Sequence, residues 1–200
     1  MKLLGSRAIT GLVALICLQA CTQEPAAELV LAATDNDRPG SNASPYSEFN
    51  VQLTIRDVMN TLIDPNADVI WEAVGFEASL ENGIVESKPE SDEEWDALRK
   101  NVIAMVEGAN SLMIPGRRVA PPGSTTEFPD AEFEPFEVEE KLQEDRISWV
   151  GFAQAFQVST LEVLAAIDAR DLEAYTTAGG EVDDACTACH QQYWYRPELR

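Results

Sequence analysis

The sequence predicts an all-α fold, a four-helix bundle with a long connection between helices 2 and 3, and three observations predict it. Apolar residues recur at spacings of three and four in four separate stretches. Neither a sustained alternation of β-branched residues nor an Asn-Gly hairpin signal is read as competing with that period, so no strand or hairpin is expected, and no internal repeat is visible. A chain of 200 residues, 45% of them hydrophobic, carries enough apolar side chain for one core. Four amphipathic segments must bury their faces against one another, and a bundle is the economical packing.

Residues 1–20 precede that domain and read as an address. Lys2 and Arg7 flank the start of an uncharged apolar run from Ala8 to Leu18, too short to span a bilayer and the right size for the core of a secretory signal. The run ends at Leu18-Gln19-Ala20-Cys21, which resembles the lipobox of bacterial lipoproteins, where the cysteine is lipidated on sulfur and becomes the mature N-terminus. An ordinary cleaved signal beside an uninvolved Cys21, or an uncleaved membrane helix, are the competing readings. Loss of Lys2 and Arg7 would take the net charge from −21 to −23. Residues 21–47 have no sustained period and read as a flexible tether from the lipidated cysteine, with a root-mean-square reach of roughly 25–30 Å. Thr22 stands where an aspartate would signal retention at the inner membrane. Its presence points to the periplasmic face of the outer membrane of a Gram-negative bacterium.

Residues 48–200 form the predicted domain. Val51, Ile55, Val58, Met59 and Leu62 lay one apolar stripe, Asp64-Pro65 interrupts it, and Val69, Ile70, Trp71 and Val74 resume it, so the first helix is expected to be broken or kinked. Ser91 with Glu94 three residues on is a capping box, and Trp95, Leu98, Val102, Met105, Val106 and Leu112 follow as the buried face of a second helix that ends before Pro115-Gly116. Residues 115–137, rich in Pro, Phe and Glu, read as a long surface connection over the outside of the bundle. From Leu142 through Trp149 and Phe156 to Ile167 the spacing implies a third helix of about thirty residues. A turn near Arg170-Asp171 starts the last helix, in which Gly179-Gly180 is a weak point and Val182, Cys186, Cys189, His190 and Tyr193 share one face.

Charge and histidine content narrow the function. Fourteen Lys and Arg against 35 Asp and Glu exclude a nucleic-acid surface, which needs clustered cations. One histidine excludes catalytic pairs and bis-His haem ligation, so no enzyme is expected. The acidic runs Glu90–Glu94 and Glu132–Glu140 are either solvated faces or docking sites for a basic redox partner.

Cys186-Thr187-Ala188-Cys189-His190 is a Cys-x-x-Cys-His sequence, the attachment motif of c-type haem. Positions i, i+3 and i+4 of a helix face one way, so two thiols can reach two vinyl groups while the imidazole reaches the iron. A thioredoxin-like pair would need a βαβ context, half a zinc site would need two more ligands, and a Cys186–Cys189 disulfide would close a strained loop.

The stretch from Leu164 to His190, with LAAIDARDLEAYTTAGGEVDDACTACH in order, resembles the C-terminal half of the cytochrome c′ and cytochrome c556 family. The similarity runs over Val138–Arg196 and is only general in pattern over the first two helices. The resemblance implies one covalent haem c on the last helix of a four-helix bundle, bound through Cys186 and Cys189, with His190 as proximal ligand. It matches Tyr193 to the family's aromatic three residues after the histidine, whereas the arginine that often follows comes later here, as Arg196. It also implies dimerisation through the first helices. Function in that family divides by the sixth ligand. A methionine from the first helix keeps the iron low-spin and suits one-electron transfer, and an open face binds NO or CO. Met59 is either that ligand or a flexible core filler, whereas Met105 and Met113 read as packing. Trp149, Phe152, Phe156 and Tyr193 either line the haem edge or belong to the ordinary core.

Overall fold

Thr54 opens the helical part of the chain in the computed structural model, which describes residues 49–80 and 83–197. The signal, Cys21 and the tether lie outside the described residues. The Thr54 hydroxyl accepts the Asp57 N–H (3.2 Å) and the Asp57 carboxylate accepts the Thr54 N–H (2.8 Å), a capping box that starts α1, Ile55–Val58. A π-helical turn, Met59–Ile63, follows, and α2, Asp64–Glu72, continues from it. The break expected at Asp64-Pro65 is therefore a widened turn within a continuous run, closed by the Asp64 N–H on the Met59 carbonyl. Proline lacks an N–H and its ring clashes with the carbonyl four residues back in a regular α-helix. The π turn accommodates it, and Asn66 Nδ2 covers the Leu62 carbonyl at 3.1 Å.

Two strands follow, and they correct the all-α expectation to a mostly helical fold with one hairpin. β1, Gly75–Ser79, pairs antiparallel with β2, Gly83–Ser87, with Phe76 opposite Glu86 and Ala78 opposite Ile84. The sequence between them carries Asn82-Gly83, a strong short-range hairpin signal. Gly83 has φ +70°, a conformation that favours glycine. Alternation was absent because the hairpin buries neither face; Phe76 and Ile84 are 77% and 73% exposed.

Ser91 and Glu94 form the expected capping box at the start of α3, Asp92–Leu112. The run Glu90–Glu94 thus supplies a helix start, and its carboxylates sit at the positive end of the helix dipole. The expected third helix is two, α4, Pro135–Glu144, and α5, Arg146–Ala169. Asp145 separates them with φ −130° and ψ 69°, and its carboxylate accepts from the Ser148 N–H and hydroxyl as the cap of α5. Arg170, at φ +55°, turns the chain into α6, Leu172–Tyr193, which Asp171 caps. Gly179-Gly180 does not interrupt α6.

Helices α2, α3, α5 and α6 share one core. Ile70, Val102, Met105, Val163, Ile167 and Val182 are at most 1% exposed. Three buried or half-buried polar groups of aromatic rings tie the helices across it. Tyr175 donates to the Ile70 carbonyl (2.7 Å) and Trp71 Nε1 to the Gly179 carbonyl (3.1 Å), joining α2 to α6. Trp149 Nε1 donates to the Leu112 carbonyl (2.9 Å), joining α5 to α3.

The π turn lies against α3 at Gly108, where an added Cβ would stand 2.7 Å from Cγ1 of Ile63. Alanine normally improves a helix interior by roughly 0.5–1 kcal/mol over glycine. Here Gly108→Ala is expected to do the reverse and cost about 1–3 kcal/mol, because Ile63 is buried and Cγ1 sits too close to the backbone to swing away. A denaturant midpoint at or above that of the parent protein would show that the contact yields.

Candidate cofactor-binding site

The last turns of α6 carry Cys186, Cys189 and His190 on one face, all half-buried, with Tyr193 buried one turn on. They open onto a cavity of about 740 Å³, within the roughly 300–1,000 Å³ usual for small-molecule and cofactor sites. The first helical run supplies Ile55, Arg56, Met59 and Asp64 to its wall, and α5 supplies Trp149, Phe152, Ala153 and Phe156. The four aromatics proposed for a haem edge all line it, and Trp149 and Phe152 pack edge-on against Tyr193 with centroids 5.1 and 5.8 Å apart. Of the methionines in the described residues, Met59 is the one on the wall. Met105 is fully buried in the core and Met113 packs beside it.

The long connection is the second correction to the sequence reading. It does not simply cross the outside; Val119, Thr125, Thr126, Glu127, Phe128 and Glu132 also wall the cavity. Backbone pairing explains why. The first N–H groups of α1, which have no partner within their own helix, donate to this strap: Ile55 to the Arg118 carbonyl (2.8 Å) and Arg56 to the Val119 carbonyl (2.9 Å). At the other end Phe133 donates to the Trp194 carbonyl and Arg196 to the Ala131 carbonyl. Arg196 also pairs with Glu137 (3.1 Å) and lies over the Phe133 ring, so it fastens the strap and is not on the cavity wall. Glu132–Glu140 likewise has local work. Glu134 and Glu137 box the start of α4, Glu139 pairs with Arg118, and Glu132 accepts from Thr126.

Electrostatics set the state of the three motif side chains. Burial, reinforced by Asp183 and Asp64, pushes the Cys186 thiol up to about 11, and burial with Cys186 beside it pushes Cys189 up to about 12. Burial lowers the His190 imidazole against an opposing pull from Asp64. Each group is thus held neutral. A redox-active Cys-x-x-Cys pair has the opposite signature, a lowered thiol pKa. Both cysteines are free thiols. Among the described residues no group of three or more His, Cys, Asp or Glu side chains is placed to hold a metal ion. The described residues therefore assemble no three-ligand metal site of their own, whereas a macrocycle brings four nitrogen ligands.

The residues fit such a group. Two neutral thiols and a neutral imidazole stand on one wall, a thioether sulfur on another, and aromatic rings between them. Sequence spacing missed Arg56, Asp64 and the strap, because only long-range packing brings them to the motif. Comparison with family models, curated proteins and solved structures found no match for the chain.

Proposed function

We propose that the chain is a monohaem c-type cytochrome of the cytochrome c′ and c556 kind, carrying single electrons in a bacterial envelope. The observation that carries this reading is that Cys186, Cys189, His190 and Met59, from opposite ends of the domain sequence, line the same cavity. Haem supplies the one-electron chemistry when bound. The chain's residues would do the rest: Cys186 and Cys189 would anchor the group through thioethers, and His190 and Met59 would hold its iron. Trp149, Phe152 and Phe156 would supply an apolar wall that limits the access of water to the group.

The packing of α2, α3, α5 and α6 around one core supports a four-helix bundle as the scaffold. Lipidation of Cys21 would hold the domain at the periplasmic face of the outer membrane. The strong negative charge suits a basic redox partner and repels nucleic acid. Pairing of two copies through the first helices belongs to the same reading, which assigns no catalytic role.

The test is the optical spectrum of the mature protein, made in a host competent in haem attachment, ferric and dithionite-reduced, with and without CO. Sharp low-spin bands indifferent to CO are expected. A broad high-spin spectrum that CO shifts would overturn the electron-carrier reading in favour of a gas-binding one, and a colourless protein would overturn haem altogether.

A further inference from the structure

Helix α5 presents an uncharged face to solvent. Between Arg146 and Glu162 the sequence has no charged residue, in a chain whose net charge is −21. The inner side of that run makes core and cavity wall through Trp149, Ala153 and Phe156. The outer side is exposed, and its residues Ile147, Gly151, Gln154, Val158 and Leu161 recur at intervals of four, three, four and three. That is the spacing at which one helix lies along another. Ile147, Val158 and Leu161 are 87%, 55% and 44% exposed, a row of apolar side chains left to water. Gly151 adds to this. A glycine weakens a helix interior, and Gly108 is required by the close approach of Ile63, whereas a Cβ at Gly151 would meet nothing within 4 Å. Its own chain does not need that glycine; a helix laid across it from outside would use the gap as the hole for a facing side chain.

Charge selects the occupant. The outer faces of α2, α3 and α6 carry exposed acidic side chains such as Asp68, Glu107 and Asp184, so two copies of the chain repel where those faces meet. At the α5 face they do not. Arg146 bounds the uncharged run at its start and Glu162 at its end, so an antiparallel copy brings each cation to the other's carboxylate, whereas a parallel copy sets like charges together. Glu162 already faces a like charge, Glu181 of α6, whose carboxyl it holds above the ordinary value. Arg146 gives one nitrogen to the Met113 carbonyl and keeps donors to spare. We infer that two copies of this chain pair antiparallel through the outer face of α5, crossing at Gln154 and Ala155, with Val158 of each copy seated at Gly151 of the other. This is a different face from that of the first helices, and it does not depend on haem. At 1.5 Å per residue the face is about 22 Å long and one helix wide, less than the roughly 800 Å² per partner of a stable dimer, so the pairing is reversible.

The test is oxidative cross-linking of the full chain carrying Gln154→Cys, with copper–phenanthroline as oxidant and the dimer read on a non-reducing gel. A residue at the two-fold axis meets its own counterpart, so this variant is expected to give a dimer band about tenfold stronger than the parent's. Ile147→Cys, at the end of the face, and Val69→Cys, on the exposed side of α2, are expected to add nothing to the parent's band. Adding Val158→Glu to the Gln154→Cys chain sets a carboxylate against the other copy and is expected to abolish the band with helicity unchanged, since Val158 is exposed. A band from Ile147→Cys and none from Gln154→Cys would mean parallel pairing, and a band from Val69→Cys alone would mean pairing through the first helices. A Gln154→Cys thiol that neither cross-links nor reacts with a water-soluble maleimide would mean that lipid or another partner covers the face. One that reacts with maleimide and never cross-links would mean a free face. Each of these four results overturns the inference.

Discussion

The Cys186→Ala/Cys189→Ala variant is expected to retain less than about a tenth of the covalently bound haem of the parent protein, the largest effect available from two side chains. Thiol addition to a vinyl group forms a carbon–sulfur bond and moves the thiol proton to the neighbouring carbon, with no change in oxidation state. Both thiols meet the requirement for that step. They are protonated, free, and turned to the same cavity wall three residues apart on α6. Without them any haem is held by His190, Met59 and apolar packing alone, and denaturation strips it. The measurement is haem staining of the denatured protein alongside its visible spectrum. Haem that survives denaturation in the double variant would place attachment elsewhere. The helix itself is expected to persist, since Asp171 caps it and Tyr175, Val182 and Tyr193 bury its other turns. Loss of colour with retained helicity therefore separates the site from the fold.

What was legible in the sequence, and what was not, follows the range of the interactions involved. The Ser91–Glu94 box, the Arg170-Asp171 turn and the shared face of Cys186, Cys189 and His190 depend on residues within one or two turns, and spacing reveals them. The division of α4 from α5 was hidden because Leu142 and Trp149, seven residues apart, keep a helical period straight across Asp145. An apolar count cannot see that a carboxylate caps the second helix there. The hairpin was hidden for the opposite reason. With neither face buried, β1 and β2 had no alternation to show, and only Asn82-Gly83 carried the signal. The π turn needed three facts at once, Pro65, the Gly108 gap and the burial of Ile63, and two of them belong to tertiary packing. The strap is the extreme case. Arg118 and Val119 reach Ile55 and Arg56 across more than sixty residues, and no local pattern in a Pro-rich stretch foretells which helix end it will satisfy.

Met59→Ala is expected to convert a low-spin, CO-indifferent protein into a high-spin one that binds CO when reduced, with haem content unchanged. The change acts on one atom, because alanine removes the sulfur and leaves the thioether bonds and His190 in place. Met59 is half-buried on the cavity wall, at the first residue of the π turn, so its truncation enlarges an existing space. Met105 provides the contrast. It is fully buried among core residues away from the cavity, and Met105→Ala is expected to cost about 2–5 kcal/mol of stability without altering spin state. Paired spectra and denaturant midpoints of the two variants distinguish a ligand from a packing residue, since each predicts the change that the other lacks. If Met59→Ala leaves the bands and CO response of the parent unaltered, the sulfur is not on the iron. The π turn would then serve only to pass Pro65 and shape the wall, and one-electron transfer would lose the feature that sets it above gas binding. If the spin state changes, the placement of Met59 at a widened turn acquires a physical reason. The π turn presents the thioether to the cavity, while Gly108 lets the far end of the same turn, Ile63, press into the core.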